Sequence, residues 1–314
     1  MMAVDAGTEP ILGCGSSKLR MVVDMADPRK IVSSNVSGNF FVDTTCINCD
    51  TCRQLAPGSF ADTGEYSAVL RQPETDEEVL AATRAMLCCP TGSIGTKVKS
   101  AIDVKAVRSQ FPLLIEDDVY YCGFNSPRSY GGNSFFIQSA RGNWLIDSPK
   151  YLPFLSERFE TMGGIKYIFL THRDDVADAQ KYAQHFSASR IIHRDELSAQ
   201  PDAEIIIDGC MPQIFEQDFT VIPVPGHTKG HMVLLYKNKF LFTGDHLAYD
   251  PADAHLSAFS DYCWYSWSEQ TESMQRLSEY DFEWVLAGHG DRGKLSVQEM
   301  KRQMSELIET MRRC

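Results

Sequence analysis

Four short apolar runs in the second half of the sequence each end at a side chain that can bind a metal. The runs are rich in β-branched and aromatic residues, and short runs of this kind are typical of buried strands. They end at His172, His227, Asp245 and His289. Four such strand ends would gather these side chains at one sheet edge. Neutral imidazole and carboxylate are the usual ligands of zinc and non-haem iron, so the pattern predicts a metal site.

The two central ligands lie in recognisable motifs. His227 belongs to Pro-Gly-His-Thr-Lys-Gly-His at 225–231, and Asp245 belongs to Gly-Asp-His at 244–246. With His172 and His289 on either side, this order resembles the metallo-β-lactamase fold hydrolases from about Asn133 to the C-terminus. The segment 133–147 resembles that family's opening hairpin, which ends at a strand-end Asp. The resemblance implies an αβ/βα sandwich and metal-dependent hydrolysis.

One family motif is degenerate in this sequence. The family signature after the first metal strand is His-x-His-x-Asp-His, and these positions are occupied here by residues 172–177. Only His172 is kept. Asp174 stands where the second histidine belongs, Val176 replaces the Asp, and Ala177 replaces the last His. In the hydrolases, the resemblance implies, the missing Asp orients the attacking hydroxide.

The altered motif predicts one metal, zinc or iron, held by His172, Asp174, His227 and Asp245. The resemblance then leaves His289 as a weak ligand, a group behind the ligands or a substrate contact. A second metal requires either Asp175 or Asp178 to enter the site through a shifted loop. The carboxylate at 174 also resembles the flavodiiron branch of the family, in part, because that branch keeps a fuller ligand set.

Other polar and aromatic residues near the motifs have two interpretations. His231 and His246 flank ligand positions, and we expect them to hold loops by hydrogen bonding rather than to bind metal. Trp264, Tyr265 and Trp267 follow a polar loop. They form either a lid or core cluster, which is the commoner role for such residues, or one wall of a substrate pocket.

The first half of the sequence carries a different cofactor motif. Cys46, Cys49 and Cys52 form a Cys-x-x-Cys-x-x-Cys run, and a distant Cys89 precedes Pro90. Three thiolates at this spacing with a remote fourth are typical of a cubane iron–sulfur cluster. A structural zinc site is the alternative, although such sites usually pair two Cys-x-x-Cys hooks.

The segment 37–98 resembles the single-cluster bacterial ferredoxins. The resemblance implies one [4Fe-4S] cluster on Cys46, Cys49, Cys52 and Cys89. The adjacent Cys88 is expected to pack against the protein, because the Cys-Pro step favours Cys89 as the ligand. Thr75 with Glu78 three residues later predicts the start of a helix between the two motifs.

Composition limits the partners and the compartment. The chain has 314 residues, ordinary apolar (43%) and charged (23%) fractions, and a net charge of -12. The acidic charge and the lack of a basic stripe argue against nucleic acid, and no apolar run approaches the ~20 residues of a membrane span. Five of the ten cysteines fall in the two cofactor motifs, which favours a reducing compartment. We expect the cytoplasm, with the plastid stroma as the alternative.

The predicted fold class is α/β, with an αβ/βα sandwich behind a small α+β ferredoxin-like domain. The predicted boundaries are a poorly ordered extension (1–36), a cluster domain (37–98), a linker (99–110) and a metallo-β-lactamase-fold domain (111–314). The linker is short, so the domains should touch.

Three functions compete. The first is a metal-dependent hydrolase with an unknown small-molecule substrate. The second is an iron-dependent oxidoreductase or electron-transfer protein, with a redox partner, in which the cluster feeds the metal. The third is a binding module on a decayed site, because a fold can outlive its activity.

Overall fold

Thr75 begins the helix that organises the N-terminal domain. In the computed structural model, which describes residues 26–98 and 103–313, the Thr75 hydroxyl accepts a hydrogen bond from the Glu78 backbone and the Glu78 carboxylate accepts one from the Thr75 backbone. This confirms the predicted capping box. The elements of this domain are β1 (Phe40–Val42), α1 (Thr51–Leu55), β2 (Phe60–Asp62), β3 (Ser67–Val69), α2 (Asp76–Cys88) and β4 (Ile94–Thr96).

Two antiparallel strand pairs, β1 with β4 and β2 with β3, cover the helices of this domain. The small core between them includes Phe40, Val42, Phe60 and Ile94, and Cys52 of the cluster motif lies in the same core. The cluster motif is therefore attached directly to the packed interior of the domain.

The predicted extension at 1–36 is too long. A 3-10 helix spans Pro28–Lys30, Ile31 forms a β-bridge with Asp43, and Val32 is buried in the domain core. Residues 26–36 are thus part of the cluster domain, because Val32 adds apolar burial that composition alone did not reveal. Residues 1–25, which complete the predicted extension, and 99–102 of the predicted linker lie outside the described residues. Helix α3 (Val104–Arg108) leads into the second domain.

The first sheet of the second domain has seven strands in the order β11-β10-β9-β8-β7-β6-β5. Its β5 to β8 are antiparallel neighbours, whereas β8 to β11 run parallel. The strands are β5 (Leu113–Glu116), β6 (Val119–Tyr121), β7 (Phe135–Ile137), β8 (Trp144–Ile146), β9 (Tyr167–Phe169), β10 (Ser189–His193) and β11 (Ile205–Ile207). The predicted hairpin is β7–β8, and Asp147 directly follows β8.

The second sheet has six strands in the order β12-β13-β14-β15-β18-β19, and a separate hairpin, β16–β17, lies beside it. The strands are β12 (Gln213–Phe215), β13 (Phe219–Pro223), β14 (Met232–Tyr236), β15 (Phe240–Gly244), β16 (Ala248–Asp250), β17 (His255–Ser257), β18 (Trp284–Ala287) and β19 (Gly293–Lys294). Because β13 and β15 are each antiparallel to β14, and β18 is parallel to β15, three of these strands point the same way.

The two sheets pack face to face with helices on both outer sides. Trp144 stacks on Phe219 across the sheets at 4.3 Å between ring centroids, and Phe136 stacks on Phe159 of the outer helix layer at 4.8 Å. This is the predicted αβ/βα sandwich. The outer helices are α4 (Pro153–Thr161) and α5 (Ala179–Phe186) on the first sheet, and α6 (Trp267–Leu277) and α7 (Val297–Met311) on the second. No helix among the described residues has the length and apolar character needed to cross a bilayer.

Candidate functional site

The predicted metal ligands all leave the ends of buried strands. His227, Asp245 and His289 follow β13, β15 and β18, which run in one direction and so deliver their exits to one edge of the second sheet. His172 follows β9 of the first sheet. The strand ends of two facing sheets therefore meet over one site, as the sequence pattern predicts.

The first group of ligands has the spacing of a metal site. The Nε2 atoms of His172 and His227 each lie 3.6 Å from Asp245 Oδ2. Asp174 Oδ2 lies 3.7 Å from His172 Nε2 and 4.0 Å from His227 Nε2. Ligands held at about 2.0–2.2 Å from one ion have separations of this size. The structure thus brings together all four residues predicted to hold one metal.

His172 and His227 each direct an Nε2 atom with no hydrogen-bond partner among the described residues towards the site. Both side chains are buried. Burial lowers the pKa of His172 to about 4, so its imidazole is neutral. The Thr171 hydroxyl donates to Asp147, so it can accept from His172 Nδ1 at 3.0 Å and leave the Nε2 lone pair facing the site. A hydrogen bond of this kind fixes a ligand tautomer.

A second group of ligands shares Asp245 with the first. His289 Nε2 lies 3.8 Å from Asp175 Oδ1 and 4.0 Å from Asp245 Oδ2. These three residues form a second set of potential metal ligands beside the His172 group. The predicted site residue His289 is therefore close to a carboxylate that the family motif does not supply.

Asp175 is one of the two acids that the sequence offered for a second metal, and it is the one that lies in this group. Its side chain is 1% exposed, and neither carboxylate oxygen has a hydrogen-bond partner among the described residues. Burial and the neighbouring Asp245 raise its pKa well above the usual value. A Cβ atom at Gly132 would lie 2.7 Å from Asp175 Oδ1, and one at Gly288 would lie 2.8 Å from Oδ2. The two glycines thus leave the space that this carboxylate occupies.

Asp178, the other acid considered for a second metal, is engaged elsewhere. It pairs with Arg128 at 3.1 Å and accepts a hydrogen bond from the Tyr151 backbone at 2.9 Å. His231 behaves as predicted, since its Nε2 accepts from the Asp245 backbone N–H at 3.2 Å. His246 is buried and belongs to neither ligand group, but neither of its ring nitrogens has a hydrogen-bond partner among the described residues, so the predicted hydrogen-bonding role is wrong for His246.

The four cysteines predicted to bind the cluster surround one pocket. Cys46, Cys49, Cys52 and Cys89 all line the same small pocket. The backbone N–H groups of Asn48 and Ser93 point at the sulfurs of Cys46 and Cys89, at 3.4 and 3.3 Å. Such donors are typical around iron–sulfur clusters. Burial raises the pKa of the Cys49 thiol to about 12, so a thiolate there requires nearby positive charge such as iron.

Cys88 lies outside this pocket. It is fully buried in the core cluster of the second domain, with Phe111 and Phe124. A Cβ atom at Gly123 would approach its sulfur to 2.9 Å. This is the packing role predicted for Cys88, and it leaves Cys89 as the cysteine that faces the pocket.

The segment 125–134 lies between the cluster pocket and the metal-ligand groups, and two consecutive residues of it approach one site each. A Cβ atom at Gly131 would lie 2.8 Å from Cys49 Sγ, while the same atom at the next residue, Gly132, would meet Asp175. The preceding Tyr130 donates to the Ile47 carbonyl at 2.6 Å, and its ring centroid is 6.4 Å from that of His289. The domains are therefore in contact, as the short linker led us to expect, and the contact joins the two sites.

The three aromatic residues after the polar loop differ in how far they are buried. Trp264 is 64% exposed, its ring centroid is 6.2 Å from that of His227, and its backbone N–H donates to the His227 carbonyl at 2.9 Å. Tyr265 is also exposed, whereas Trp267 is partly buried and donates to the Met311 carbonyl. Core packing is thus wrong for Trp264 and Tyr265, because their segment is held onto the outside of the metal-ligand loop.

The sequence comparisons find one matching family model and a set of partly matching relatives. Residues 42–96 match the family model described as the 4Fe-4S single cluster domain of ferredoxin I. Hydroxyacylglutathione hydrolases from Salmonella paratyphi A and Salmonella newport are each 30% identical to this chain over 105 residues, or 33% of this chain. The matching part spans only 41% of the length of those relatives.

Solved structures with a similar chain path include two metallo-β-lactamase proteins. The metallo-beta-lactamase from Pontibacter korlensis is 16% identical with a TM-score of 0.48, covering 64% of this chain and 98% of that chain. A metallo-beta-lactamase family protein from Thermus thermophilus is 15% identical with a TM-score of 0.46, covering 62% of this chain and 80% of that chain.

Proposed function

We propose that this chain, which joins a single-cluster 4Fe-4S ferredoxin domain to a domain with the metallo-β-lactamase fold, is a metal-dependent hydrolase with an altered metal site. The observation that carries this proposal is the set of buried, unpartnered ligand atoms on His172, His227 and Asp175 among the described residues. Leaving such atoms without partners costs roughly 1–3 kcal/mol for each group. One cation in each ligand group would satisfy these atoms, the first on His172 and His227 and the second on Asp175.

The metal content follows from the two ligand groups. Sequence reasoning favoured one metal, on His172, Asp174, His227 and Asp245, unless another acid entered the site. Asp175 occupies that place, so we propose a second position on Asp175, Asp245 and His289. Histidine and carboxylate ligands suit either zinc or ferrous iron. A metal held there supplies Lewis acidity, which polarises a carbonyl and acidifies water.

The protein's own groups would orient a substrate over this centre. Asp174 is half exposed at the solvent side of the first ligand group, and His289 is 28% exposed at the second. Trp264 lies outside His227 and provides an apolar wall. The proposed substrate is therefore a small molecule whose carbonyl reaches the ligands while an apolar part rests on Trp264.

Hydrolysis can be tested directly. The names of the Salmonella relatives make a hydroxyacyl-glutathione the first substrate to try, followed by simple esters, other thioesters and lactams. The metal-loaded protein should hydrolyse at least one of them, and His227→Ala should lose activity by at least 100-fold. Ile214→Ala removes a 75% exposed side chain from β12 and serves as the control. No turnover of any substrate class by loaded protein would overturn the proposal.

A second candidate is the iron-dependent oxidoreductase in which the cluster feeds the metal. The consecutive contacts of Gly131 with Cys49 and of Gly132 with Asp175 favour it, because they bring the two centres to opposite sides of one backbone segment. This function requires iron rather than zinc at the site formed by the histidine and carboxylate ligands. It also requires an external redox partner. Elemental analysis of anaerobically purified protein decides the point: zinc without excess iron would rule it out.

A further inference from the structure

Three polar side chains are buried where the two domains meet. Thr51 is 1% exposed, Asn125 is 0% exposed and Asn133 is 3% exposed. Thr51 belongs to the cluster domain, whereas both asparagines belong to the metallo-β-lactamase-fold domain. Buried polar groups of this kind are costly unless they are hydrogen-bonded, and these three are bonded to one another. We call them the junction network.

One end of the junction network touches a cluster cysteine. The Thr51 hydroxyl lies 3.4 Å from Cys49 Sγ and accepts a hydrogen bond from Asn125 Nδ2 at 3.1 Å. A cysteine bound to iron is a thiolate and can only accept. With the cluster in place, Thr51 is therefore positioned to donate to Cys49, and its oxygen to accept from Asn125.

The other end surrounds a predicted metal ligand. Asn125 Nδ2 also lies 3.2 Å from Asn133 Oδ1 and 2.7 Å from the Gly131 carbonyl, so its two hydrogens are shared among these two acceptors and Thr51. Asn133 donates from its backbone to the Gly288 carbonyl at 2.8 Å. Its side-chain NH2 shares two hydrogens among the carbonyls of Ala287 at 3.1 Å and Gly290 at 3.5 Å and Gln54 Oε1 of the cluster domain at 3.1 Å. The three backbone carbonyls lie on both sides of His289 in the chain. Asn133 thus holds the loop that presents His289.

We infer that the junction network couples the redox state of the cluster to metal binding at His289. The inference rests on the proposed function, because it needs both cofactors in place. A one-electron donor adds negative charge to the cluster and makes its sulfurs stronger acceptors. Hydrogen bonds in a chain polarise one another, so the change at Cys49 alters how Asn133 holds the His289 loop. Thr51, Asn125 and Asn133 are positioning residues, not catalytic residues.

The sign of the coupling follows from charge. A reduced cluster is more negative and therefore favours a cation at Asp175, Asp245 and His289. Because coupling between two sites is reciprocal, metal binding must raise the reduction potential of the cluster by the equivalent amount. A tenfold tighter affinity of the reduced protein for Zn²⁺ corresponds to a rise of ~59 mV for this one-electron couple.

The test is a potentiometric titration of the full-length protein, followed by the EPR signal of the reduced cluster, with and without Zn²⁺. We expect Zn²⁺ to raise the midpoint potential by ~59 mV or more, the equivalent of a tenfold change in affinity. Thr51→Val removes the hydroxyl with little change of shape, and it should at least halve that Zn²⁺-dependent rise.

Thr91→Val is the matched control. The Thr91 hydroxyl lies 3.6 Å from Cys89 Sγ, but its other partner is Ser93 within the cluster domain. Removing it should shift the potential itself and leave the Zn²⁺-dependent difference intact. If Thr51→Val fails to assemble a cluster, Asn133→Leu tests the same coupling from the metal side.

The outcomes separate the two proposals. A wild-type protein that holds both cofactors but shows no Zn²⁺-dependent shift overturns the coupling and leaves the hydrolase proposal standing. An equal shift in wild type, Thr51→Val and Asn133→Leu would assign the coupling to charge through space and overturn the role of the network. A wild type that does not bind Zn²⁺ overturns the proposed function and the inference together.

Discussion

The cluster pocket and the metal centre are built from ligands in opposite ways. Three of the four pocket cysteines, Cys46, Cys49 and Cys52, lie within one short segment that enters α1, and Cys89 follows α2, which packs on α1. The metal ligands come instead from the ends of strands in two sheets. A local loop fixes its ligands by spacing alone, whereas the metal centre depends on how distant strands and their following loops pack.

The two domains also differ in how much their stability depends on a bound cofactor. The cluster domain has a small core of its own, and Cys52 is part of it. The metal centre lies on a double-sheet core that includes Trp144, Phe219 and Phe242. We therefore expect the cluster domain to depend on its cofactor for stability, because small domains often need a metal. The second domain should keep its fold without metal.

The largest expected effect is on the cluster itself. Cys89→Ala should abolish most of the thiolate-to-iron absorption of anaerobically purified protein, since it removes one of the four sulfurs in the pocket. Cys88→Ala should retain the absorption and lower only stability, because Cys88 packs against Phe111. If Cys88→Ala loses the cluster while Cys89→Ala retains it, the spacing of the cysteines failed to identify the cluster ligands.

The next effect concerns the non-local site. Asp175→Asn should reduce the metal bound beyond cluster iron from about two ions per chain to about one, because a neutral amide is a poorer ligand than a carboxylate. Asp178→Asn is the control, since Asp178 pairs with Arg128 outside the ligand groups. Elemental analysis of purified protein measures both. One ion in the wild type would restore the original prediction of a mononuclear centre.

The place of Asp175 shows where sequence reasoning ended. The family pattern located His172, His227, Asp245 and His289 because strand exits repeat a recognisable order. It also exposed the gap at Val176 and Ala177. It could not decide between Asp175 and Asp178, because that choice depends on the conformation of the loop after β9 and on the space left by Gly132 and Gly288.

The sequence predicted the fold of each domain better than it predicted the contact between the domains. The capping box of α2 and the alternation of strands and helices predicted the main elements and the sandwich. The junction network was missed, because Thr51, Asn125 and Asn133 carry no motif and are far apart in sequence. The adjacent glycines at 131 and 132 were the one available signal, since a glycine pair often marks a close backbone approach.

The third prediction tests that close approach. Gly131 has φ +89° and a Cβ there would lie 2.6 Å from Cys49 Cβ, so Gly131→Ala combines backbone strain with a clash. Gly64 has φ +97° with nothing within 4 Å of its Cβ position. Gly64→Ala should therefore cost only the strain, about 1–2 kcal/mol, and Gly131→Ala about 1–3 kcal/mol more. Chemical denaturation of the cluster-loaded protein measures the difference, and equal costs would mean that the domains are not in firm contact.

The smallest effects are expected from replacing the N-cap residue of one helix in each domain. Thr75 caps α2 beside the cluster, and Ser296 caps α7 on the second sheet, each by accepting from a backbone N–H at 3.2 and 3.3 Å. Replacing either by Ala should cost about 1 kcal/mol locally. In the small cluster domain that cost is a large fraction of the stability, so Thr75→Ala should release iron to a chelator several-fold faster. Ser296→Ala should leave the rate of iron release unchanged, because α7 packs on the larger core. Iron release followed by absorbance distinguishes the two, and equal rates would show that the domains unfold as one unit rather than as a dependent part and a stable one.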